Sequence, residues 1–89
     1  MKNNFELVKI FNNAKNNIRN TPEYINLELE ISDDLLEKAN SADTTPVIIE
    51  KVSYGVREAL FEDFKEAGYN VHLFDHSSIA VSLNFESVL

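Results

Sequence analysis

The chain of 89 residues contains no cysteine and only two glycines and two prolines. The absence of cysteine excludes disulfide bonds, cysteine zinc sites and thiol catalysis. Gly55 and Gly68 stand alone, so the sequence has no glycine-rich loop of the kind that binds phosphates. No apolar run approaches the roughly 18 residues of a membrane helix, and the residues after Met1 do not resemble a signal peptide. We therefore expect a cytoplasmic protein that has no membrane partner.

The charge is unevenly distributed over what we expect to be a single domain, residues 1–89, with a net charge of −7. Residues 1–22 carry four bases and one acid, residues 23–43 carry seven acids and one base, and residues 44–89 carry seven acids and three bases. The acidic middle of the chain would repel nucleic-acid phosphates. The many Asn, Lys and Ile residues indicate an AT-rich genome, which suggests a phage or mobile-element protein.

The first half of the chain shows a helical pattern and then an alternating one. Across residues 5–19, apolar side chains recur at steps of three and four, which predicts an amphipathic helix that ends before Pro22. Across residues 24–32, apolar and polar residues alternate, which predicts a strand with Asn26, Glu28 and Glu30 on its solvent face. A short helix is predicted next, over residues 34–42, because Asp34 and Glu37 fit a capping box.

The second half of the chain contains one ambiguous stretch and one clear element. Residues 46–67 favour a single long helix, although the β-branched residues 47–49 are also typical of a short strand. Gly68 is expected to end that helix. Residues 70–85 alternate on both sides of a polar turn at residues 75–78, which predicts a β-hairpin. The predicted fold class is α+β, in the order α-β-α-α-β-β, with a three-stranded antiparallel sheet and helices mainly on one face.

The polar side chains do not combine into a site for catalysis, metal binding or a cofactor. His72, Asp75 and His76 lack a further ligand and the paired spacing of structural metal sites. Ser77 and Ser78 belong to the same turn as His76, and consecutive residues of a hairpin tip do not provide the geometry of a catalytic triad. The carboxylates fall on predicted solvent faces, where no burial separates their pKa values. We therefore predict that the protein is not an enzyme.

In residues 25–67, a predicted strand over residues 25–31 is followed by a helix from Asp34, and then by a loop and a second helix that contains Val56-Arg57-Glu58-Ala59-Leu60. This arrangement resembles a ribbon-helix-helix domain. The resemblance implies a dimer whose paired strands enter the DNA major groove. A DNA-binding regulator is thus one alternative function, although base readers use basic or amide side chains and two of the three outward residues here are acidic.

The first functional prediction is a small non-enzymatic protein that acts by binding another protein of unknown identity. A second alternative is an acidic nucleic-acid mimic that inhibits a DNA- or RNA-binding protein. If no helix covers the second face of the hairpin, Phe74 marks an interface, and the exposed sheet edges would also allow two copies to form a homo-oligomer. The candidate partner-binding residues are Asn26, Glu28, Glu30, Asp33, Asp34, Glu37, His72 and Phe74.

Overall fold

A computed structural model describes residues 1–88, and it has the predicted α+β class with three helices and three strands. The order of the elements is α-α-β-α-β-β rather than α-β-α-α-β-β. The elements are α1 (Asn4–Asn17), α2 (Pro22–Asn40), β1 (Val47–Ile49), α3 (Tyr54–Glu66), β2 (Asn70–Phe74) and β3 (Ser78–Ser82). Short 3-10 turns lie at Ile18–Asn20 and Phe85–Val88.

The predicted strand over residues 24–32 is wrong, because this segment belongs to α2. Thr21 caps the helix by accepting a hydrogen bond from the backbone N–H of Tyr24, and Pro22 occupies the first turn, where its missing N–H costs nothing. Pro22 therefore starts this helix, whereas α1 already ends at Asn17. Leu and Glu are strong helix formers, and half of the alternating apolar residues also fit a helical stripe.

The short helix predicted over residues 34–42 is the second half of α2 and not a separate element. Ile31 and Leu35 are buried and lie one helical turn apart, so a single apolar face continues through Asp33 and Asp34. The helix ends at Asn40, and Ala42 adopts a positive φ of 52° in the turn that follows.

The long helix predicted over residues 46–67 is also wrong in its first part. Residues 47–49 form β1, which is the alternative that their β-branched side chains indicate. The chain turns at Lys51, which has a φ of 60°, and α3 begins only at Tyr54. Gly68 follows the end of α3 with a φ of 100°, as expected of a residue that terminates a helix.

The hairpin is confirmed, and its second strand is the centre of the sheet. The strand order is β1-β3-β2, and both pairings are antiparallel. Three rows of the sheet join all three strands; in two of them Val71 and Val47 flank Val81, and His72 and Ile48 flank Ala80. The strand β3 ends at Ser82, so Leu83 and Phe85, which the alternation places in the hairpin, lie beyond the observed strand.

The core lies between one face of the sheet and the helices α2 and α3. Ile31 and Leu60 from the helices and Ile79 and Val81 from β3 are completely buried in it. The guanidinium of the buried Arg57 on α3 donates hydrogen bonds to the carbonyls of Ser78, Phe74 and Asp75 at 2.9, 3.1 and 3.1 Å. Arg57 therefore fastens the hairpin turn to the core helix.

Candidate protein-interaction site

The helix α1 is amphipathic but contributes nothing to the core. Asn3 caps it by accepting a hydrogen bond from the backbone N–H of Glu6 at 2.9 Å, and none of its 14 residues is buried. Phe5, Leu7 and Phe11 remain 76, 54 and 63% exposed. Its apolar side chains follow helical spacing and form what we call the α1 apolar face, made of Leu7, Val8, Ile10, Phe11 and Ala14.

A groove separates the C-terminal half of α1 from the beginning of α3. Its volume is about 220 Å³. Apolar groups from Phe11, Ala14 and Ile18 on one side face Tyr54 and Ala59 on the other, with Gly55 between them. Lys15, Arg19, Glu58 and Glu62 add both signs of charge to the lining.

Gly55 lets the two sides of the groove approach each other closely. A Cβ atom at this position would lie 2.6 Å from Cδ1 of Ile18, which is well inside van der Waals contact. Ile18 would have to move to accommodate any larger residue. Ile18 follows the apolar residues of α1 in helical spacing and packs against the core cluster. Its contact with Gly55 therefore sets how closely the end of α1 packs on α3.

The end of α1 is fixed by a polar cluster centred on Asp63 of α3. Arg19 donates two hydrogen bonds to the Asp63 carboxylate, both at 2.8 Å, and a third to Glu62 at 3.3 Å. The hydroxyl of Tyr24 also donates to Asp63. We call Arg19, Tyr24, Glu62 and Asp63 the Asp63 cluster. It joins the corner between α1 and α2 to α3, so α1 leaves the body in a defined direction.

The Asp63 cluster shifts the pKa values of its members. The hydrogen bonds from Arg19 hold the pKa of Asp63 below its usual range, despite partial burial of the carboxylate. Burial, followed by the hydrogen bond to Asp63, raises the pKa of Tyr24 to about 12. Nearby, hydrogen bonds from the hydroxyl and backbone N–H of Ser53 lower the pKa of Glu23. These pKa shifts keep Asp63 and Glu23 ionised and Tyr24 protonated at neutral pH, as their hydrogen bonds require.

The predicted acidic residues are rearranged by the helical conformation of residues 22–40. On a strand, Asn26, Glu28 and Glu30 would share one face, but residues two apart on a helix point about 200° from each other. Glu28 therefore lies on another side of α2, where it accepts a hydrogen bond from Ser32 at 3.3 Å. The other five residues follow steps of three and four along α2 and form its acidic face: Asn26, Glu30, Asp33, Asp34 and Glu37.

His72 and Phe74 lie on the sheet face that points away from the core. His72 is exposed, Phe74 is 40% exposed, and Ile48 in the same row as His72 is 52% exposed. Among the described residues, neither α1 nor another helix covers this outer sheet face. The sequence alone did not decide whether a helix covers the second face of the hairpin. The structure thus separates the predicted partner-binding residues into two surfaces, because the acidic ones belong to α2.

The polar residues of the hairpin turn stabilise the turn itself. Asp75 has a φ of 46°, and its carboxylate accepts hydrogen bonds from the backbone N–H of Ser77 at 2.8 Å and the hydroxyl of Ser78 at 2.9 Å.

Within residues 1–88, no three His, Asp or Glu side chains come close enough to hold a metal ion. In the same part of the chain, no helix is long and apolar enough to cross a membrane.

Two parts of this site were not anticipated from the sequence. The pairing of Arg19 with Asp63 joins residues 44 positions apart, which periodicity cannot reveal. The exposure of α1 did leave a signal, because Phe5 is an apolar residue on the side of the helix opposite the apolar face, where a helix packed on one face would carry a polar residue. Comparison with protein-family models found no match, and neither did comparisons with the curated proteins and the solved structures.

Proposed function

We propose that this protein acts by binding another protein, and that it does so through the α1 apolar face and the adjoining groove rather than by catalysing a reaction. The observation that carries the proposal is the complete absence of buried residues in an amphipathic helix. A contiguous apolar surface of this kind is typical of interaction sites in water-soluble domains.

The length of α1 supports the proposal. Isolated helices of fewer than about 12–15 residues are only marginally stable in water, and helices in proteins gain most of their stability from packing an apolar face. The helix α1 has 14 residues and packs none of them fully. A partner that covers the α1 apolar face would supply the missing packing.

The groove indicates the chemistry of the partner. An amphipathic helix that inserts one large apolar side chain between Phe11 and Tyr54 would match its apolar lining. Exposed aromatic residues beside a pocket are the usual anchors of protein interfaces, and Tyr54 is 72% exposed. The Asp63 cluster holds one wall of the groove in place before binding, which lowers the entropy lost on association.

In-cell photo-cross-linking would test this proposal. A benzophenone amino acid at position 7 lies on the α1 apolar face, whereas the same group at position 13 lies on the polar side of the same helix. We expect the group at position 7 to form a discrete adduct between this chain and another protein, and the group at position 13 to form none. Equal adducts from both positions, or adducts from neither, would contradict the proposal.

A second variant makes the test specific. With the photoreactive group at position 54, Leu7→Asn/Phe11→Asn should remove the adduct, since the partner would lose its apolar contacts. Asn13→Ser/Asn16→Ser changes two residues on the polar side of α1 and should leave the adduct intact.

The acidic face of α2 supports a second candidate, a mimic of nucleic acid that occupies a basic surface on its target. Five of the six candidate partner-binding residues in α2 lie on one side of this helix. The carboxylates of Glu30, Asp33 and Glu37 therefore form one row. If this row is the contact, Glu30→Gln/Asp33→Asn/Glu37→Gln should abolish partner capture, while Glu28→Gln, on another side of α2, should not. Residues 25–31 are helical, so they do not form the strand on which the resemblance to a ribbon-helix-helix DNA-binding regulator depends.

A further inference from the structure

The two edges of the sheet differ in how they are protected against pairing with another strand. The strand β1 has only three residues, follows Pro46, and is followed by Glu50 and Lys51. Short length, proline and charge are the features with which proteins block edge strands. The strand β2, Asn70-Val71-His72-Leu73-Phe74, has five residues and contains no proline, Lys, Arg, Asp or Glu.

The open side of β2 also leaves the core incompletely covered. Val71 and Leu73 point toward the core but are only partly buried, whereas Val81 and Ile79, their partners on β3, are completely buried. Within residues 1–88, no backbone hydrogen bond links β2 to a segment other than β3. The carbonyl of Phe74 has the side chain of Arg57 as a donor.

We propose that β2 pairs antiparallel with β2 of a second copy of this chain, so that two three-stranded sheets join into one of six strands. Apolar side chains must stay on the core face across the junction, because a shift of one residue would turn them outward. The register that pairs all five residues places His72 opposite His72 of the second copy. It also places Val71 opposite Leu73 of the second copy, which covers both partly buried residues.

A second copy fits this edge better than a foreign strand does, because two identical antiparallel strands cover both unprotected edges in one step. The ends of the joined sheet are then the two β1 strands, which are the protected ones. The contact is small compared with stable protein interfaces, so we expect reversible dimers in the micromolar to millimolar range. The dimer would carry two α1 helices, but it does not depend on the function proposed for α1.

Sedimentation equilibrium of the full chain between about 10 μM and 1 mM would detect an association of this strength. We expect a monomer–dimer equilibrium. His72 is exposed, so His72→Lys and His72→Glu should fold normally, yet each should dimerise about fivefold more weakly because two like charges face each other across the two-fold axis. An equimolar mixture of the two variants should regain the dimer, since the introduced lysine of one copy then faces the introduced glutamate of the other.

The matched control is the same pair of changes at Ile48, which is exposed in the same row of the sheet but on the other edge. A mixture of Ile48→Lys and Ile48→Glu should show no preference for a heterodimer. A wild-type monomer at all concentrations, or equal behaviour of the two mixtures, would overturn the proposal.

The α1 apolar face is a competing surface for self-association, and one variant separates the two. Leu7→Asn/Phe11→Asn should leave the dimer intact. If this variant is monomeric while His72→Lys dimerises as strongly as the wild type, copies associate through α1 and the β2 pairing is wrong. Failure of the cross-linking experiment on α1, by contrast, would leave the β2 dimer unaffected.

Discussion

The helices α1 and α3 have similar lengths and a similar apolar periodicity, yet α3 packs into the core and α1 remains exposed. The helix α3 has 13 residues and buries five of them, including Leu60 and Phe64, whereas α1 has 14 residues and buries none. Amphipathic spacing predicts that a helix has an apolar face, but it does not say whether that face packs on its own chain. The difference separates a helix that holds the fold together from one whose apolar face stays exposed.

The contacts between the corner after α1 and α3 explain how α1 is attached to the protein while its apolar face stays exposed. The polar Asp63 cluster and the packing of Ile18, and not the α1 apolar face, hold the corner after α1 against α3. An attachment of this kind can orient α1 without covering its apolar face. We therefore expect progressively smaller effects on stability from substitutions in the buried part of α3, in the Asp63 cluster and in α1.

The largest expected effect comes from truncating the centre of the core. Leu60 is completely buried, so Leu60→Ala removes apolar contacts and leaves a cavity. We expect the free energy of unfolding in urea to fall by about 2–5 kcal/mol. The same truncation on α1, Leu7→Ala, should change it by less than about 0.5 kcal/mol. Comparable losses for the two variants would contradict the assigned roles.

Arg57 should have the next largest effect. In Arg57→Leu the carbonyls of Ser78, Phe74 and Asp75 lose their common donor. Charged hydrogen bonds and the cost of leaving acceptors unpaired suggest a loss of about 2–3 kcal/mol. Urea unfolding would measure this loss, and faster amide exchange at residues 74–78 would locate it. Normal protection of the turn in the variant would show that Arg57 does not fasten it.

Asp63→Asn should have a smaller effect that depends on pH. The pKa of Asp63 is lowered in the folded protein, so its contribution is present above its unfolded pKa of about 3.9 and is lost as pH falls through the lower folded value. At pH 7 we expect a loss of about 1–2 kcal/mol, reduced by partial exposure of the cluster. The variant should lose less stability than the wild type as the pH falls below the unfolded pKa of about 3.9 and through the lowered pKa of Asp63, and the lowered pKa of Glu23 contributes equally to both proteins. An unchanged pH profile would exclude Asp63 as a stabilising group.

The smallest expected effect on stability belongs to Leu7→Asn/Phe11→Asn. Both side chains are exposed, so the free energy of unfolding should stay within about 0.5 kcal/mol of the wild type. Circular dichroism of the two proteins would also show whether α1 keeps its helical conformation. A loss of more than about 2 kcal/mol would mean that α1 packs on the body in solution.

The sequence predicts those elements whose pattern has only one interpretation. The hairpin over residues 70–82 and the helix after Asn3 both belong to this class. The alternation in residues 24–32 was misleading because Ile31 and Leu27 also fit a helical face, while Ile25 and Leu29 are apolar residues that the helix leaves exposed. The strong helix propensity of Leu and Glu and the cap at Thr21 decided the outcome.

The candidate site was less predictable than the fold. The outward position of Phe74 follows from the hairpin register, and the structure retains it. Five of the six residues predicted for the acidic surface lie on one side of α2 and Glu28 does not, because a change from strand to helix regroups neighbours on the chain. The groove depends on contacts between Ile18 and Gly55 and between Arg19 and Asp63, which are distant in sequence.

Native-state hydrogen exchange of the purified chain tests the central comparison most directly, because it reports the opening free energy of each amide. If α1 lacks packing of its own, its amides should exchange through local opening and be far less protected than those of α3, which should require global unfolding. Equal protection of α1 and α3 in the isolated protein would contradict the account, since α1 would then already have its apolar face covered.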